Sequence, residues 1–189
     1  MFYYNEVMNR QITTYPMPKT GKISLVVAPR GVLQSLMSML ASLALRGRVI
    51  VVDGGNCFDG YALARALRRH THQVQAGLKQ VWLSRAFTCY QMVAMLAELP
   101  IDGTPVLVLD MLSTFLDENV SFTKRQRLLD NSLNLLRRIS QGAPVAVWAR
   151  SRSSDNTEAQ QMLTPLLEAS HDIWELQAQE TPEHQLPLF

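Results

Sequence analysis

The sequence predicts an α/β protein built on a mostly parallel sheet with helices on both faces. Three observations lead there. The runs ISLVVAP (23–29), RVIVVDGGN (48–56), PVLVLDML (105–112) and APVAVWAR (143–150) are apolar at consecutive rather than alternate positions, as in strands covered on both sides. A helix-compatible stretch separates each strand from the next, the signature of parallel βαβ units. The 189 residues, 47% hydrophobic and 18% charged, are enough for one full core and too few for two.

The elements follow in order. Residues 1–22, with scattered aromatics and two prolines, read as an irregular N-terminal arm. After the first strand, VLQSLMSMLASLALRG (32–47) carries only a narrow polar stripe of Gln34, Ser35, Ser38 and Ser42, which predicts a largely buried helix ending near Gly47. FDGYALARALRR (58–69) is the helix after the second strand. KQVWLSRA (79–86) is the third strand, and FTCYQMVAMLAEL (87–99) the next helix, with Thr88 as its N-cap. The fourth strand, 105–112, precedes a long amphipathic helix over 121–140, on which Leu129, Leu133, Leu136 and Ser140 fall at helical spacing. The fifth strand, 143–150, is followed by a polar loop, SRSSDNTEAQQ, a short helix, MLTPLLEA (162–169), and a last strand, HDIWELQ (171–177). The domain spans 23–177, and 178–189 form a polar, flexible tail.

Composition excludes several function classes. No apolar run approaches the roughly 20 residues that cross a bilayer, and MFYYNEVMNRQ lacks the layout of a signal peptide. A cytoplasmic protein without a membrane partner is expected. Cys57 and Cys89 have no CxxC or histidine spacing around them, and His70, His72, His171 and His184 show no metal-ligand spacing. No metal and no cofactor are predicted. Met37, Met39, Met92 and Met95 lie on helix faces as core filler. The net charge is only +2, but basic residues cluster in RALRRH, TKRQR, LRR and ARSRS.

Ligands of an open parallel sheet bind beyond the carboxyl ends of its strands. After the first strand, APRGVLQSL (28–36) has one glycine and no lysine, so the GxxxxGK[ST] phosphate loop is absent. Arg30 and Gly31 stand there instead, as a tight turn with at most a weak pull on anions. Asp110 closes the fourth strand, either as a magnesium-orienting acid or as a structural cap. DGGN follows the second strand without the GxGxxG of a dinucleotide site.

The order of VIVVDGGNCFDGYALARAL, VWLSRAFTCYQMVAML, VLVLDMLSTFLDENVSFTKRQRLLDNSLNLLRRI and APVAVWARSR resembles the ATPase core of the RecA/RadA recombinase superfamily, a P-loop NTPase-type fold, over about residues 20–178. The most specific piece is RAF-x-x-x-Q, Arg85 to Gln91. The resemblance implies a nucleotide site at Arg30, Gly31, Asp53, Gly55 and Asp110, and a degenerate one. The lysine after the first strand is missing, and Gly55 stands where the family has its catalytic glutamate, two residues after Asp53. Without either, charge stabilisation and water activation are both lost, which predicts a protein that is not an enzyme. The family's two DNA-binding loops would fall near 116–127 and 150–161, making Lys124, Arg125, Arg127, Arg150 and Arg152 the candidate DNA contacts.

QLPLF, Gln185, Leu186, Pro187, Leu188 and Phe189, resembles the short peptide with which bacterial polymerases and repair factors bind the DNA polymerase sliding clamp. An extended peptide can set the glutamine amide on backbone groups and bury Leu188 and Phe189, while Pro187 limits the unbound conformations. A tail folded back on the core is the plainer alternative. Together the resemblances imply a degenerate RecA-like accessory protein of the ImuA type, nucleoid-associated in the cytoplasm. It would meet the clamp by its tail, and a translesion polymerase, RecA or DNA by its core. A divergent DNA-stimulated ATPase and an inhibitor that mimics a RecA surface are the competing expectations.

Overall fold

A computed structural model describes residues 17–152 and 156–176. Most of the arm and the whole of QLPLF lie outside the described residues. Six strands, β1 (Ile23–Ala28), β2 (Val49–Asp53), β3 (Val81–Arg85), β4 (Val106–Leu109), β5 (Val145–Arg150) and β6 (Asp172–Glu175), form one sheet in the order β3-β2-β4-β5-β1-β6. Every neighbouring pair is parallel. This is an α/β architecture consistent with RecA-like and Rossmann-type folds.

The continuous apolar runs divide by alternation into two cores, because successive side chains leave a strand on opposite faces. Ile23, Leu25, Val27, Val106, Val108, Val145 and Val147 point to one face. It is covered by α4 (Cys89–Glu98), α5 (Phe122–Ser140) and α6 (Thr157–Ala169). Val26, Ala28, Val49, Val51, Leu107, Leu109 and Trp148 point to the other. That face is covered by α1 (Leu33–Ala44), α2 (Gly60–Arg68) and the short α3 (Val74–Lys79). The narrow polar stripe of α1 has the expected result, with seven of its residues, Leu36 to Ala44, buried. Met37 and Met92 are fully buried and Met39 nearly so, while Met95 packs at the edge.

The structure departs from or adds to the sequence expectations at four places. The strand expected over 105–112 stops at Leu109, because Asp110 takes a left-handed conformation (φ 45°) and the chain turns into a 3-10 segment, Met111–Phe115. The polar loop after β5 is shorter than expected, since α6 starts at Thr157, where the Asn156 side chain accepts from the Ala159 N–H at 2.9 Å. Helix α3 lies in a stretch that carries no helix in the sequence reading. It packs on α2 through Gly77, where an added Cβ would stand 2.8 Å from a Leu67 methyl. Finally, β3 is an edge strand and largely exposed, with Trp82 54% and Leu83 38% accessible. The arm is anchored at its end: Pro18 is buried and Gly21 N–H donates to the Ser140 carbonyl at 2.6 Å.

Candidate functional site

The carboxyl ends of the strands bring the predicted site residues to one end of the sheet but divide them into two groups. Arg30 and Gly31 sit in a 3-10 turn, Arg30–Val32, that leads into α1. With Gln34, Asn56, Cys57 and Phe58 they line an open groove of about 340 Å³. Asp53, Gly55 and Asp110 do not line it and form a buried polar cluster of their own.

Both carboxylates of that cluster are fully buried, and both are engaged. Asp53, at the end of β2, receives the N–H groups of Gly55 (3.2 Å), Cys57 (3.0 Å) and Phe58 (2.9 Å). The loop after β2 therefore folds around this side chain, and Arg85 adds an ion pair at 3.6 Å from the neighbouring strand. Asp110 is held by the Arg150 guanidinium at 2.6 Å and by the Ser113 hydroxyl at 2.7 Å. Ser113 in turn accepts from Arg152 at 2.9 Å. Gly55 lies directly against Asp110: a Cβ there would stand 2.5 Å from the Asp110 Cβ and 2.6 Å from its Oδ2. The glycine at this position is a packing requirement of the aspartate beside it.

Cys57, half-buried, approaches Asp53 Oδ1 with its thiol at 3.4 Å. Burial, and then the Asp53 charge, push its pKa far above the ordinary value. The thiol is a weak donor, not a nucleophile. Among the described residues no group of three or more His, Cys, Asp or Glu side chains is placed to hold a metal ion.

The five candidate DNA contacts separate just as clearly. Lys124 and Arg127 are exposed on the first turns of α5. Arg125 is not available to a phosphate and is a correction to the expectation: it is 3% accessible, with its guanidinium on the Phe115 carbonyl (3.2 Å) and on Glu158 (3.0 Å). It ties the loop before α5 to the start of α6. Arg150 is likewise committed, to Asp110, and Arg152 to Ser113.

Within the two segments that carry these basic residues the sole aromatic is Phe122, half-buried and with the Arg125 guanidinium 5.5 Å from its ring centroid, so neither segment offers exposed rings. The fold supplies them from another. Thr88 caps α4 by accepting from the Gln91 N–H at 3.2 Å, while Gln91 Oε1 reaches back to the Phe87 N–H at 2.8 Å, a variant of the capping box. The RAF-x-x-x-Q segment is thus a locally closed turn, and it leaves Phe87 67% and Tyr90 44% accessible. Because α4 packs beside α5, Lys124 Nζ stands 5.1 Å from the Tyr90 ring centroid. The position of Lys124 beside Tyr90 raises the lysine's pKa above its ordinary value.

The chain matches no protein-family model, and no curated protein matches it. Among the described residues no helix is long and apolar enough to cross a membrane.

Proposed function

We propose that this chain is a non-hydrolysing RecA-like accessory protein of bacterial DNA repair or translesion synthesis, tethered to the sliding clamp by QLPLF. The observation that carries the non-hydrolysing part is the occupied Asp110. To orient a magnesium ion its carboxylate would have to give up Arg150 at 2.6 Å and Ser113 at 2.7 Å, leaving a half-buried cation unpaired. Gly55 supports the same reading, since a glutamate there would overlap Asp110. The turn after β1 offers Arg30 and Gly31 but no lysine. Such a site retains the strand geometry of an ATPase and lacks the groups that would clamp phosphates and activate water.

The tail carries the tether. QLPLF has the glutamine and the two closing apolar residues of a clamp-binding peptide, behind a polar spacer, AQETPEH. Average residue usage places Gln, Leu, Leu and Phe in such a register in roughly one five-residue window in 10⁵. The core would then engage RecA, a translesion polymerase or DNA where the clamp sits. ATP turnover is the test of the first part. Phosphate release should stay at background with and without single-stranded DNA, whereas turnover that Asp110→Ala abolishes would make the protein a divergent ATPase.

A further inference from the structure

We propose that the face formed by the turn between β3 and α4 and by the first turns of α5 binds single-stranded DNA, by stacking bases on Phe87 and Tyr90 beside Lys124 and Arg127. The resemblance assigns DNA to the loops after the fourth and fifth strands. Neither Phe87 nor Tyr90 belongs to those loops, and of the residues carried over only Lys124 and Arg127 belong to this face.

The two rings are presented, not merely left over. Phe87 follows β3 and its N–H is fixed by Gln91, so the backbone that carries the ring is already ordered before a ligand arrives. Tyr90 stands three residues on, at the start of α4, and both side chains are exposed. Next to them runs an open groove of about 490 Å³ lined by Ser121, Thr123, Lys124, Arg127, Leu128 and Asn131. Its lining holds two cations, four neutral residues and no anion. Lys124, Arg127 and Asn131 recur at helical spacing, so they share one side of α5. Lys124 reaches over Tyr90, which makes the cationic groove and the aromatic turn one surface.

That combination is what a single strand needs: cations along the phosphates, and aromatic faces for bases of any identity. A duplex keeps its bases stacked on each other and could use only the charges. An acidic peptide could pair with Lys124 and Arg127 but would leave both rings without a planar partner. The choice of DNA over RNA rests on the clamp-tether reading of the tail; the face itself does not depend on it.

Fluorescence anisotropy with a labelled oligo-dT tests the proposal, using the full chain and the chain lacking residues 185–189, with no clamp present. Both should bind the single strand, so that a failed tail and a failed face are told apart. Phe87→Ala and Tyr90→Ala should each weaken binding on the order of tenfold or more and leave its salt dependence unchanged. Lys124→Gln with Arg127→Gln should weaken binding and reduce the salt slope by roughly 1.4. All four positions are exposed, so thermal unfolding should be unmoved and should certify the variants as folded. No binding of oligo-dT, equal binding of a duplex, tighter binding of the matching RNA, equal binding of poly-glutamate, or aromatic variants that bind like the parent would each overturn the proposal.

Discussion

Replacing Gly55 with alanine perturbs the centre of the proposed degenerate site by one methyl group. The added carbon would meet the Asp110 Cβ at 2.5 Å and Oδ2 at 2.6 Å, about an ångström inside ordinary contact. Asp110 cannot simply step aside, because Arg150 and Ser113 hold its carboxylate at 2.6 and 2.7 Å and its own N–H is bonded to the Trp148 carbonyl at 2.7 Å. Overpacking alone costs about 1–3 kcal/mol, and loosening a buried ion pair adds to it. A total of about 2–4 kcal/mol corresponds, for a chain of 189 residues, to a fall in Tm of roughly 4–16 °C. Thermal unfolding followed by circular dichroism measures it. The same substitution in an Asp110→Gly background should cost less than about 0.5 kcal/mol, since the opposing Cβ and carboxylate are then gone and glycine suits the left-handed backbone at 110. An unchanged Tm for Gly55→Ala, or an equal cost in both backgrounds, would refute the reasoning.

Gln91→Ala removes the acceptor of the Phe87 N–H and should cost about 1 kcal/mol by urea denaturation, together with a measurable loss of oligo-dT affinity because Phe87 is no longer held. A loss of neither would separate the capping turn from the aromatic face. For Cys57, burial and Asp53 raise the thiol above its ordinary value of 9.0. The folded state therefore keeps a proton that the unfolded chain releases, so this contribution to stability is whole below about pH 9 and declines as pH rises beyond it. Iodoacetamide should accordingly label Cys57 at pH 8 at least tenfold more slowly than a thiol in an unfolded peptide, and Asp53→Asn should speed the labelling.

Much of the fold was legible because both sheet faces are covered. A strand buried on two sides is apolar along nearly its whole length, and β1, β2, β4 and β5 are, apart from Ser24 and the closing Asp53 and Arg150. The rule does not reach β3: VWLSR has only three apolar residues before Ser84 and Arg85, and a run of residues does not say which strand ends at the edge of a sheet ordered 3-2-4-5-1-6. The start of α6 was signalled by Asn156 with Glu158 in the first turn, a cap masked by the serines ahead of it. Of the site, Asp53, Gly55 and Asp110 were found by position along the chain. Their engagement was not, because Arg150 lies 40 residues from Asp110 and the left-handed backbone at 110 has no sequence marker. Arg125 stands four residues before Leu129, on the buried stripe of α5, so helical spacing already set it apart from Lys124; its partner Glu158, on α6, was not legible. Phe87 and Tyr90 joined Lys124 only through the packing of α4 on α5.

The most direct test of the proposed role is the affinity of a purified bacterial sliding clamp for the full chain and for the chain ending at residue 184, measured by isothermal titration calorimetry. The full chain should bind with a measurable Kd and the shortened one should give no heat of binding, while its Tm stays that of the parent. Equal binding by both chains, or no binding by either, would contradict the tether and with it the placement of this protein at the clamp.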